Sequence, residues 1–218
     1  MASTQEITAG ILLDIGAVHI RPDEPFTFTS GRLSPVYVDC RCVISYPRAR
    51  AKLMDMGVGL VAERAGFEAF DAVAGGETAG IPFAAFIAER MSLPMLYVRK
   101  KPKGFGRNAQ IEGHFKDGAR LLMVEDMVTD GGSKHVFLDA IEKAGAKCAH
   151  LFVVFHYGNF LQAMQSLKDR GVSLHALATW EDVLEAAPSR GYTKDQIAQV
   201  RSFLKDPDGW AAGHAKKA

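Results

Sequence analysis

The sequence predicts an α/β fold with a doubly wound, mainly parallel sheet, and two observations carry this prediction. From Asp71 onward, short apolar segments alternate with longer segments of helical periodicity. The apolar segments, such as Arg120–Val124 and Cys148–Phe155, lack the polar alternation of half-exposed strands, which is typical of strands covered on both faces. A regular alternation of strand and helix joins parallel strands and places helices on both faces of the sheet. A chain of 218 residues is long enough to bury such a core.

The predicted core elements lie between residues 47 and 155. The strands are Ala72–Ala74, Met95–Arg99, Arg120–Val124 and Cys148–Phe155, and the helices are Pro47–Ala65, Ile81–Met91 and Ser133–Ala144. Proline is favoured in the first turn of a helix, which suits Pro47, and Gly66 and Gly145 suit helix ends. Apolar residues at 136, 137, 140, 141 and 144 give the last of these helices one apolar face.

The two ends of the chain carry shorter elements. Ser3 and Glu6 form a capping-box pattern before a helix, and Thr193 with Gln196 repeats that pattern before a last helix. The other predicted elements are β-like segments at Ala17–Arg21, Phe26–Thr29 and Pro35–Arg41, a helix at Phe160–Arg170, a strand at Val172–Ala178 and a helix capped by Thr179. We therefore divide the chain into an N-terminal segment (1–46), an α/β core (47–170) and a C-terminal segment (171–218).

Charge and composition exclude several classes of protein. With 26 basic and 25 acidic side chains the net charge is +1, so no global charge draws the chain to nucleic acid or to a membrane surface. No run of about 18 apolar residues predicts a membrane span, and the first residues lack the pattern of an export signal. Three cysteines suit reduced thiols in a cytoplasmic protein. Cys40 and Cys42 have the spacing of metal ligands, but no second pair follows, which favours a core position.

The strongest functional pattern is the stretch from Leu121 to Ser133. A predicted buried strand ends in Glu125 and Asp126, and the following loop, Thr129–Ser133, leads directly into a helix. Ligands of open α/β sheets bind at the carboxyl ends of strands, where glycines and a helix N-terminus can hold a phosphate. Carboxylates suit the opposite task, because they accept hydrogen bonds from sugar hydroxyls or hold a hydrated cation. The pattern therefore indicates a sugar-phosphate site.

A structural interpretation of the same stretch is that the acid pair caps a turn and that Gly131 and Gly132 bend the chain. For an acid pair alone we would favour that interpretation by about two to one. The whole stretch, between a buried strand and an apolar helix, favours ligand binding instead. A Walker A loop is excluded because no glycine stands four residues before a Gly-Lys-Ser triplet.

A second pattern is the cationic segment Arg99–Arg107, in which five of nine residues are Lys or Arg and none is acidic. Pro102, Gly104 and Gly106 disfavour regular structure, so we expect a mobile loop that leaves the end of a strand. Such a loop can close over a diphosphate and neutralise charge on a departing pyrophosphate. Without the neighbouring phosphate-binding pattern, a solvated surface loop would be the better interpretation.

Two glycine patterns are less specific. Gly75–Gly80 stands between a predicted strand and a predicted helix, where glycine-rich turns are common. The spacing of Gly104, Gly106 and Ala109 matches the loose dinucleotide-binding pattern, but Gln110–Gly113 does not continue as a helix. We therefore reject a dinucleotide site.

Together these motifs resemble the type I phosphoribosyltransferases. The stretch 121–133 is similar to the phosphoribosyl diphosphate signature of that family. The segments that are similar to its orotate-specific branch are Phe26–Arg41, Ser45–Pro47, Val98–Gly104 and Gln110–Gly113. The resemblance extends over essentially the whole chain up to about residue 185.

The resemblance implies a hood made of the terminal segments over the sheet edge, with the base between the hood and the cationic loop. It implies an enzyme that transfers the ribose 5-phosphate of phosphoribosyl diphosphate to orotate and yields orotidine 5′-phosphate and pyrophosphate in UMP biosynthesis. The implied cofactor is Mg²⁺, which bridges pyrophosphate and ribose oxygens, so no protein residue is expected as a metal ligand. The loop 100–113 is expected to act in the site of the neighbouring subunit of a homodimer.

The same resemblance assigns roles to residues. Glu125, Asp126 and Lys103 are the expected catalytic residues: the acids hold the ribose and its developing positive charge, and the lysine acts on the leaving pyrophosphate. Thr129 is also expected to contact orotate, and the Gly75–Gly80 turn to give backbone donors to the pyrophosphate. The residues expected to bind phosphoribosyl diphosphate are Arg99, Lys100, Lys103, Glu125, Asp126, Met127, Val128, Thr129, Asp130, Gly131, Gly132 and Ser133.

The sequence departs from the family pattern at three places. Thr29 stands where some members have a lysine near the base, and Phe105 stands where the loop usually has histidine. Phe155-His156 replaces an Asp-Arg pair whose arginine helps to hold orotate. The candidates for the group that meets the orotate carboxylate are Arg32, Arg41 and His156.

Two other functions stay open. One is a phosphoribosyltransferase for a purine or another base, and the other is a non-catalytic phosphoribosyl diphosphate-binding regulator of transcription or RNA. The net charge of +1 and the lack of a basic stripe or a helix-turn-helix count against the regulator. The cationic segment favours catalysis, because a sensor has no leaving group to stabilise.

Overall fold

The structure is a computed structural model, and it describes residues 2–27, 31, 33–104, 110–129, 132–158 and 161–215. The chain divides into two compact units. One unit combines residues 1–43 with 178–218, and the other is residues 44–177. No helix within the described ranges has the length and apolar character that crossing a membrane requires.

Strands and helices are numbered here in chain order within the described residues. The strands are β1 (Val18–Ile20), β2 (Phe26–Thr27), β3 (Leu33–Ser34), β4 (Val36–Val38), β5 (Ala72–Gly76), β6 (Met95–Val98), β7 (Ile111–Glu112), β8 (Arg120–Val128), β9 (Lys147–His156) and β10 (Ser173–Thr179). The helices are α1 (Thr4–Asp14), α2 (Pro47–Ala65), α3 (Gly80–Met91), α4 (Gly132–Lys143), α5 (Leu161–Asp169), α6 (Trp180–Ala186), α7 (Lys194–Lys205) and α8 (Pro207–Ala215).

The unit 44–177 is built on a six-stranded sheet in the order β10-β9-β8-β5-β6-β7. The pairs β5/β6, β5/β8 and β8/β9 are parallel, and the short edge strand β7 is antiparallel to β6. The central strands β5 and β8 are almost wholly buried, which explains their continuous apolar sequence. The predicted α/β fold with a mainly parallel sheet is confirmed.

Helices α3 and α4 cover opposite faces of this sheet. A Cβ atom added to Gly75 would lie 2.8 Å from the Cβ of Ala84 in α3, whereas one added to Gly76 would lie 2.6 Å from the ring of Phe137 in α4. Because consecutive residues of a strand point to opposite faces, the two helices lie on different sides of β5. The doubly wound arrangement expected from the sequence is therefore present.

The central strand β8 is longer than the sequence predicts. We expected it to end at Val124, but it continues to Val128. The reason is that β9 runs alongside it, pairing Glu125 with Val153 and Val128 with His156. The predicted end at Val124 was therefore too early, and both acids lie inside β8.

The other unit combines helices with short antiparallel strands. Strand β1 pairs with β4, and β2 pairs with β3. Two predicted helix starts are confirmed, since Ser3 accepts a hydrogen bond from the backbone of Glu6 at 3.1 Å and Thr193 forms a capping box with Gln196. Helix α8 was not predicted. Its Trp210 packs edge-on against a ring of α7, so a tertiary contact stabilises it.

A stacked pair of histidines joins β9 and β10. His150 Nδ1 lies 2.9 Å from His175 Nε2. The planes of the two rings are nearly parallel, with an angle of 17° between them. Burial, together with the charges of His150 and Arg64, lowers the pKa of His175 to about 4. Burial also lowers the pKa of His150. The folded state therefore favours neutral rings, whereas an unfolded histidine takes up a proton near its ordinary pKa of 6.5.

We expect the free energy of unfolding to decrease as the pH falls from about 6.5 towards 4, because the unfolded state binds more protons in this window. His175→Asn should remove a part of that decrease on the order of 1 to 2 kcal/mol between pH 7 and pH 5. Urea denaturation at pH 7 and at about pH 5 measures the effect. The control is His114→Asn, at an exposed position. An equally steep decrease in the His175 variant would contradict this explanation.

Candidate active site

The acid pair of β8 sends its two carboxylates to opposite faces of the sheet, because consecutive strand residues alternate. Glu125 faces α4, where its Oε2 accepts a hydrogen bond from Lys134 Nζ at 3.0 Å. Asp126 points to the other face, and its Oδ1 accepts a hydrogen bond from the backbone N–H of Met127 at 2.9 Å. Both carboxylates are buried, with 4% and 8% of the residue surface exposed. Neighbouring acids therefore have different surroundings.

Burial dominates the electrostatics of Glu125. Its surroundings together raise the pKa of Glu125 to about 7; removal from water is the largest cause, and the charge of Asp126 adds to it. Lys134 opposes this rise through its charge and its hydrogen bond, and Lys100 opposes it more weakly. The second carboxylate oxygen, Oε1, is buried and has no hydrogen-bond partner among the described residues. Glu125 thus has one neutralised oxygen and one free acceptor.

The glycine-rich turn between β5 and α3 packs directly on that acceptor. A Cβ atom on Gly76 would overlap Oε1 of Glu125, and one on Gly80 would lie 2.5 Å from the carbonyl oxygen of Val124 and 3.0 Å from the same Oε1. Real Cβ atoms do not approach other atoms so closely, so both positions require glycine. The turn is joined to β6 because the backbone N–H of Glu77 donates to the carbonyl of Val98 at 2.8 Å.

The cationic segment begins where β6 ends, and acidic partners hold its described part. The backbone N–H of Lys100 donates to Glu77 Oε2 at 2.7 Å. Lys103 forms an ion pair with Glu112 of β7, and the guanidinium of Arg99 lies 3.6 Å from the same carboxylate. These ion pairs lower the pKa of Glu112. The segment 99–104 contains no helix or strand, as its Pro and Gly content predicts.

The sheet order brings three sequence motifs to one edge. Strands β6, β5 and β8 are adjacent and parallel, so the cationic segment, the Gly75–Gly80 turn and the acid-pair strand all lie at their carboxyl ends. We call this the carboxyl edge. Met127 and Val128 complete β8, and Thr129 follows directly. Gly132 and Ser133 begin α4, while Asp130 and Gly131 lie outside the described residues. The rejected dinucleotide helix is absent here, since Ile111–Glu112 form strand β7.

The candidates for the orotate carboxylate differ in their surroundings. His156 ends β9 beside β8, and its Nε2 is buried with no hydrogen-bond partner in the described ranges. Burial lowers the pKa of His156, which favours a neutral ring. Arg41 makes two hydrogen bonds to the carboxylate of Asp39, at 2.6 and 2.9 Å. Thr29, Arg32 and Phe105 lie outside the described residues.

Sequence reasoning missed three charged residues of this edge: Lys134, Glu77 and Glu112. A signal for Lys134 was present, because positions 134, 137, 138 and 141 share one helix face and the other three are apolar. A lysine in the first turn also opposes the helix dipole, which is unusual without a nearby anion. The two glutamates had no comparable signal.

Comparisons with known proteins agree with this geometry. Residues 58–180 match the model of the phosphoribosyl transferase domain family. An orotate phosphoribosyltransferase from Cereibacter sphaeroides is 58% identical over 205 residues, which cover 94% of this chain and 88% of that protein. One from Dinoroseobacter shibae is 54% identical over 216 residues, which cover 99% and 96%. The chain belongs to the orotate phosphoribosyltransferase family.

A solved structure supports the same assignment. The crystal structure of orotate phosphoribosyltransferase from Aeropyrum pernix has a TM-score of 0.71 to this chain at 31% identity, covering 83% of this chain and 98% of that one. The family resemblance drawn from residues 26–41, 45–47, 98–104, 110–113 and 121–133 is therefore confirmed.

The close approach of Gly76 to Glu125 can be tested by substitution. Gly76→Ala should lower the free energy of unfolding by roughly 1 to 3 kcal/mol, because the added methyl overlaps the Glu125 carboxylate and Phe137. Gly59→Ala is the matched control, since its Cβ would meet nothing within 4 Å and alanine is the better helix former. Urea denaturation of both variants measures the contrast. Equal stability of Gly76→Ala and wild type would show that the turn is not packed as described.

Proposed function

We propose that the chain transfers the ribose 5-phosphate of phosphoribosyl diphosphate to orotate and releases pyrophosphate, giving orotidine 5′-phosphate for pyrimidine synthesis. The observation that carries the proposal is the convergence at the carboxyl edge of an acid pair, a glycine turn and a cationic segment. This edge lies in a chain that is 54–58% identical to proteins named orotate phosphoribosyltransferase. The three motifs match the three charged parts of the reaction: ribose, diphosphate and leaving pyrophosphate.

The charges of the substrates explain the division of work. Orotate is an anionic nucleophile, and the ribose carbon that it attacks becomes cation-like as pyrophosphate leaves. We assign the ribose and its developing positive charge to Glu125 and Asp126, which leave β8 on opposite faces. Thr129, the loop to Ser133 and the N-terminus of α4 hold the 5-phosphate. The free acceptor Oε1 of Glu125 suits a sugar hydroxyl.

The leaving pyrophosphate is assigned to the cations that follow β6. Arg99, Lys100 and Lys103 stand at the start of that segment, next to the Gly75–Gly80 turn. Lys103 is held by Glu112 in this structure, so meeting the diphosphate requires an exchange of one anionic partner for another. Such an exchange is inexpensive, because partly exposed ion pairs contribute little. The lysine therefore becomes available when a stronger anion arrives.

We propose that Mg²⁺ enters the site bound to the substrate phosphoribosyl diphosphate. Within the described ranges, no group of three or more His, Cys, Asp or Glu side chains is arranged to hold a metal ion. Mg²⁺ is commonly held through substrate phosphates, so the diphosphate and ribose oxygens are its proposed ligands here. When bound, it supplies neutralising charge to the pyrophosphate.

The working unit that we propose is a homodimer in which the loop 100–113 serves the site of the neighbouring subunit. The support is the family resemblance together with the position of Lys103, which lies beyond Pro102 on a segment without regular structure. We place the reaction in the cytoplasm, where Cys40, Cys42 and Cys148, which are thiols outside any disulfide in this structure, stay reduced.

Base selectivity tests the proposal directly. Orotate should be consumed only when phosphoribosyl diphosphate and Mg²⁺ are both present, as followed by ultraviolet absorbance. Adenine, hypoxanthine and uracil should react at least about a hundredfold more slowly, because a site that pairs with polar groups rejects ligands that lack them. Equal turnover of a purine would move the chain to another base. Binding of phosphoribosyl diphosphate without turnover of any base would support a regulator.

Exchange of loops between subunits can be tested with two inactive variants. Lys103→Ala should lower kcat by about two to three orders of magnitude, since one charge contact to a leaving group contributes roughly that much. Its melting temperature should change little, because Lys103 is 43% exposed. Asp126→Asn should also be inactive, through loss of the sugar contact. Verified mixed dimers of these two variants should recover part of the activity, since one of their sites has both an intact acid pair and an intact loop.

Two results would contradict the proposed role of the loop in the neighbouring subunit. No recovery in verified mixed dimers would mean that the loop serves its own subunit. A Lys103→Ala variant with unchanged kcat would reduce the segment to a surface loop. The control is Lys116→Ala, which removes an exposed lysine outside the cationic segment and should leave kcat unchanged.

A further inference from the structure

We propose that Lys134 is a positioning residue for Glu125: it favours the carboxylate form of this side chain and fixes one of its oxygens, so that the other is presented to the sugar. The inference rests on the proposed function, and it assigns a role to a residue outside the acid pair, the cationic segment and the glycine turn. Lys134 is the third residue of α4. This helix begins directly after the loop to which we assign the 5-phosphate of the substrate.

Lys134 and Glu125 form a buried ion pair. The side chains of Lys134 and Glu125 are 9% and 6% exposed, and Nζ lies 3.0 Å from Oε2. This pair is far more buried than the other ion pairs of the carboxyl edge, those of Glu112, whose side chains are between 27% and 43% exposed. A buried contact of this kind holds both side chains in one orientation, whereas exposed pairs exchange freely with water.

Stability alone does not explain a lysine at position 134. Positions 137, 138 and 141 on the same face of α4 are buried Phe, Leu and Ile. An apolar residue at 134 would extend that face, and buried ion pairs are often no more stable than well-packed apolar replacements. A cation in the first turn of a helix also opposes the helix dipole. Lys134 is therefore best explained by what its charge does for Glu125.

Oε1 of Glu125 accepts a hydrogen bond best while the carboxyl group is ionised. Oε1 of Glu125 is buried against Gly76 and Gly80 and has no partner among the described residues. A buried acceptor without a donor costs free energy, which a ligand hydroxyl can recover. The acceptor is strongest while the group is ionised, yet burial favours the protonated form. Lys134 is the largest influence that opposes protonation.

The consequence is a defined dependence on pH. The charged groups that act on Glu125 are Lys134 from α4, Asp126 from β8 and Lys100 from the segment after β6. Among the described groups, removal of Lys134 leaves burial and Asp126, which both raise the pKa of Glu125, and Lys100, which lowers it. The group should then be protonated at neutral pH and should ionise again in mildly alkaline solution.

The experiment compares four variants of the full-length protein at pH 7 and at about pH 9. They are Lys134→Met, Glu125→Gln, the double variant Lys134→Met/Glu125→Gln, and Lys143→Met as the control, which makes the same substitution at an exposed position of α4. Two quantities are measured: kcat/KM for phosphoribosyl diphosphate with orotate, and the rise in melting temperature that phosphoribosyl diphosphate causes. The second does not depend on the base.

We expect Lys134→Met to lose about tenfold or more in kcat/KM at pH 7, and to return to within about threefold of wild type at the higher pH, since one pKa unit corresponds to a factor of ten. Glu125→Gln should be low at both pH values, because glutamine cannot ionise. Lys143→Met should match wild type throughout. A Lys134→Met deficit that is equal at both pH values, or no deficit at all, would overturn the proposal.

The double variant keeps the inference testable if Lys134→Met alone fails to fold. It replaces the ion pair by two neutral side chains, and it should have the kinetics of Glu125→Gln, because Lys134 has nothing to position once the charge is gone. A double variant that is much less active than Glu125→Gln would show that Lys134 acts independently, which contradicts the proposal. If wild type binds phosphoribosyl diphosphate but does not convert orotate, the proposed function fails, and the ligand-induced melting shifts still decide the role of Lys134.

Discussion

The structure of the carboxyl edge depends on one constraint: a carboxylate is buried inside the central strand of the sheet. Glu125 has 4% of its surface exposed, and a charge in that position needs a partner. Lys134 supplies it from α4, while Gly76 and Gly80 leave room for the carboxylate on the opposite side. The strand β8, the turn after β5 and the start of α4 are thus held in register by one side chain. The phosphoribosyl diphosphate signature links β8 and α4 along the chain, and the turn after β5 joins them through this contact.

The same constraint separates the tasks of neighbouring charges. Asp126 follows Glu125 in the strand but points to the other face, so the two acids approach a ligand from different directions. Arg99 and Lys103 pair with Glu112 through contacts that exchange easily, while Glu77 accepts a hydrogen bond from the backbone of Lys100. A rigid buried pair and exchangeable exposed pairs therefore lie at one edge. This combination suits a reaction in which the sugar is held while the pyrophosphate leaves.

Most of the core could be predicted from the sequence because its signal is local. Apolar runs and helical periodicity predict β5, β6, β9, α2 and α3 within two residues of their observed bounds. The predictions are wrong where contact with another strand or helix determines whether an element forms or where it ends. Strand β8 continues past Val124 because β9 offers backbone partners, and α8 forms because Trp210 finds an aromatic partner in α7. Neither partner is recorded in the local pattern.

The sequence by itself determined the fold class, the sugar-phosphate motif at residues 121–133 and the family, since each depends on residue types in consecutive order. Tertiary structure decided which groups act on them. Lys134 is nine residues from Glu125, and Glu77 is 23 residues from Lys100. Periodicity shows that a side chain is buried, but the partner of a buried charge depends on which elements pack together. The electrostatic surroundings of the acid pair therefore had to come from the folded chain.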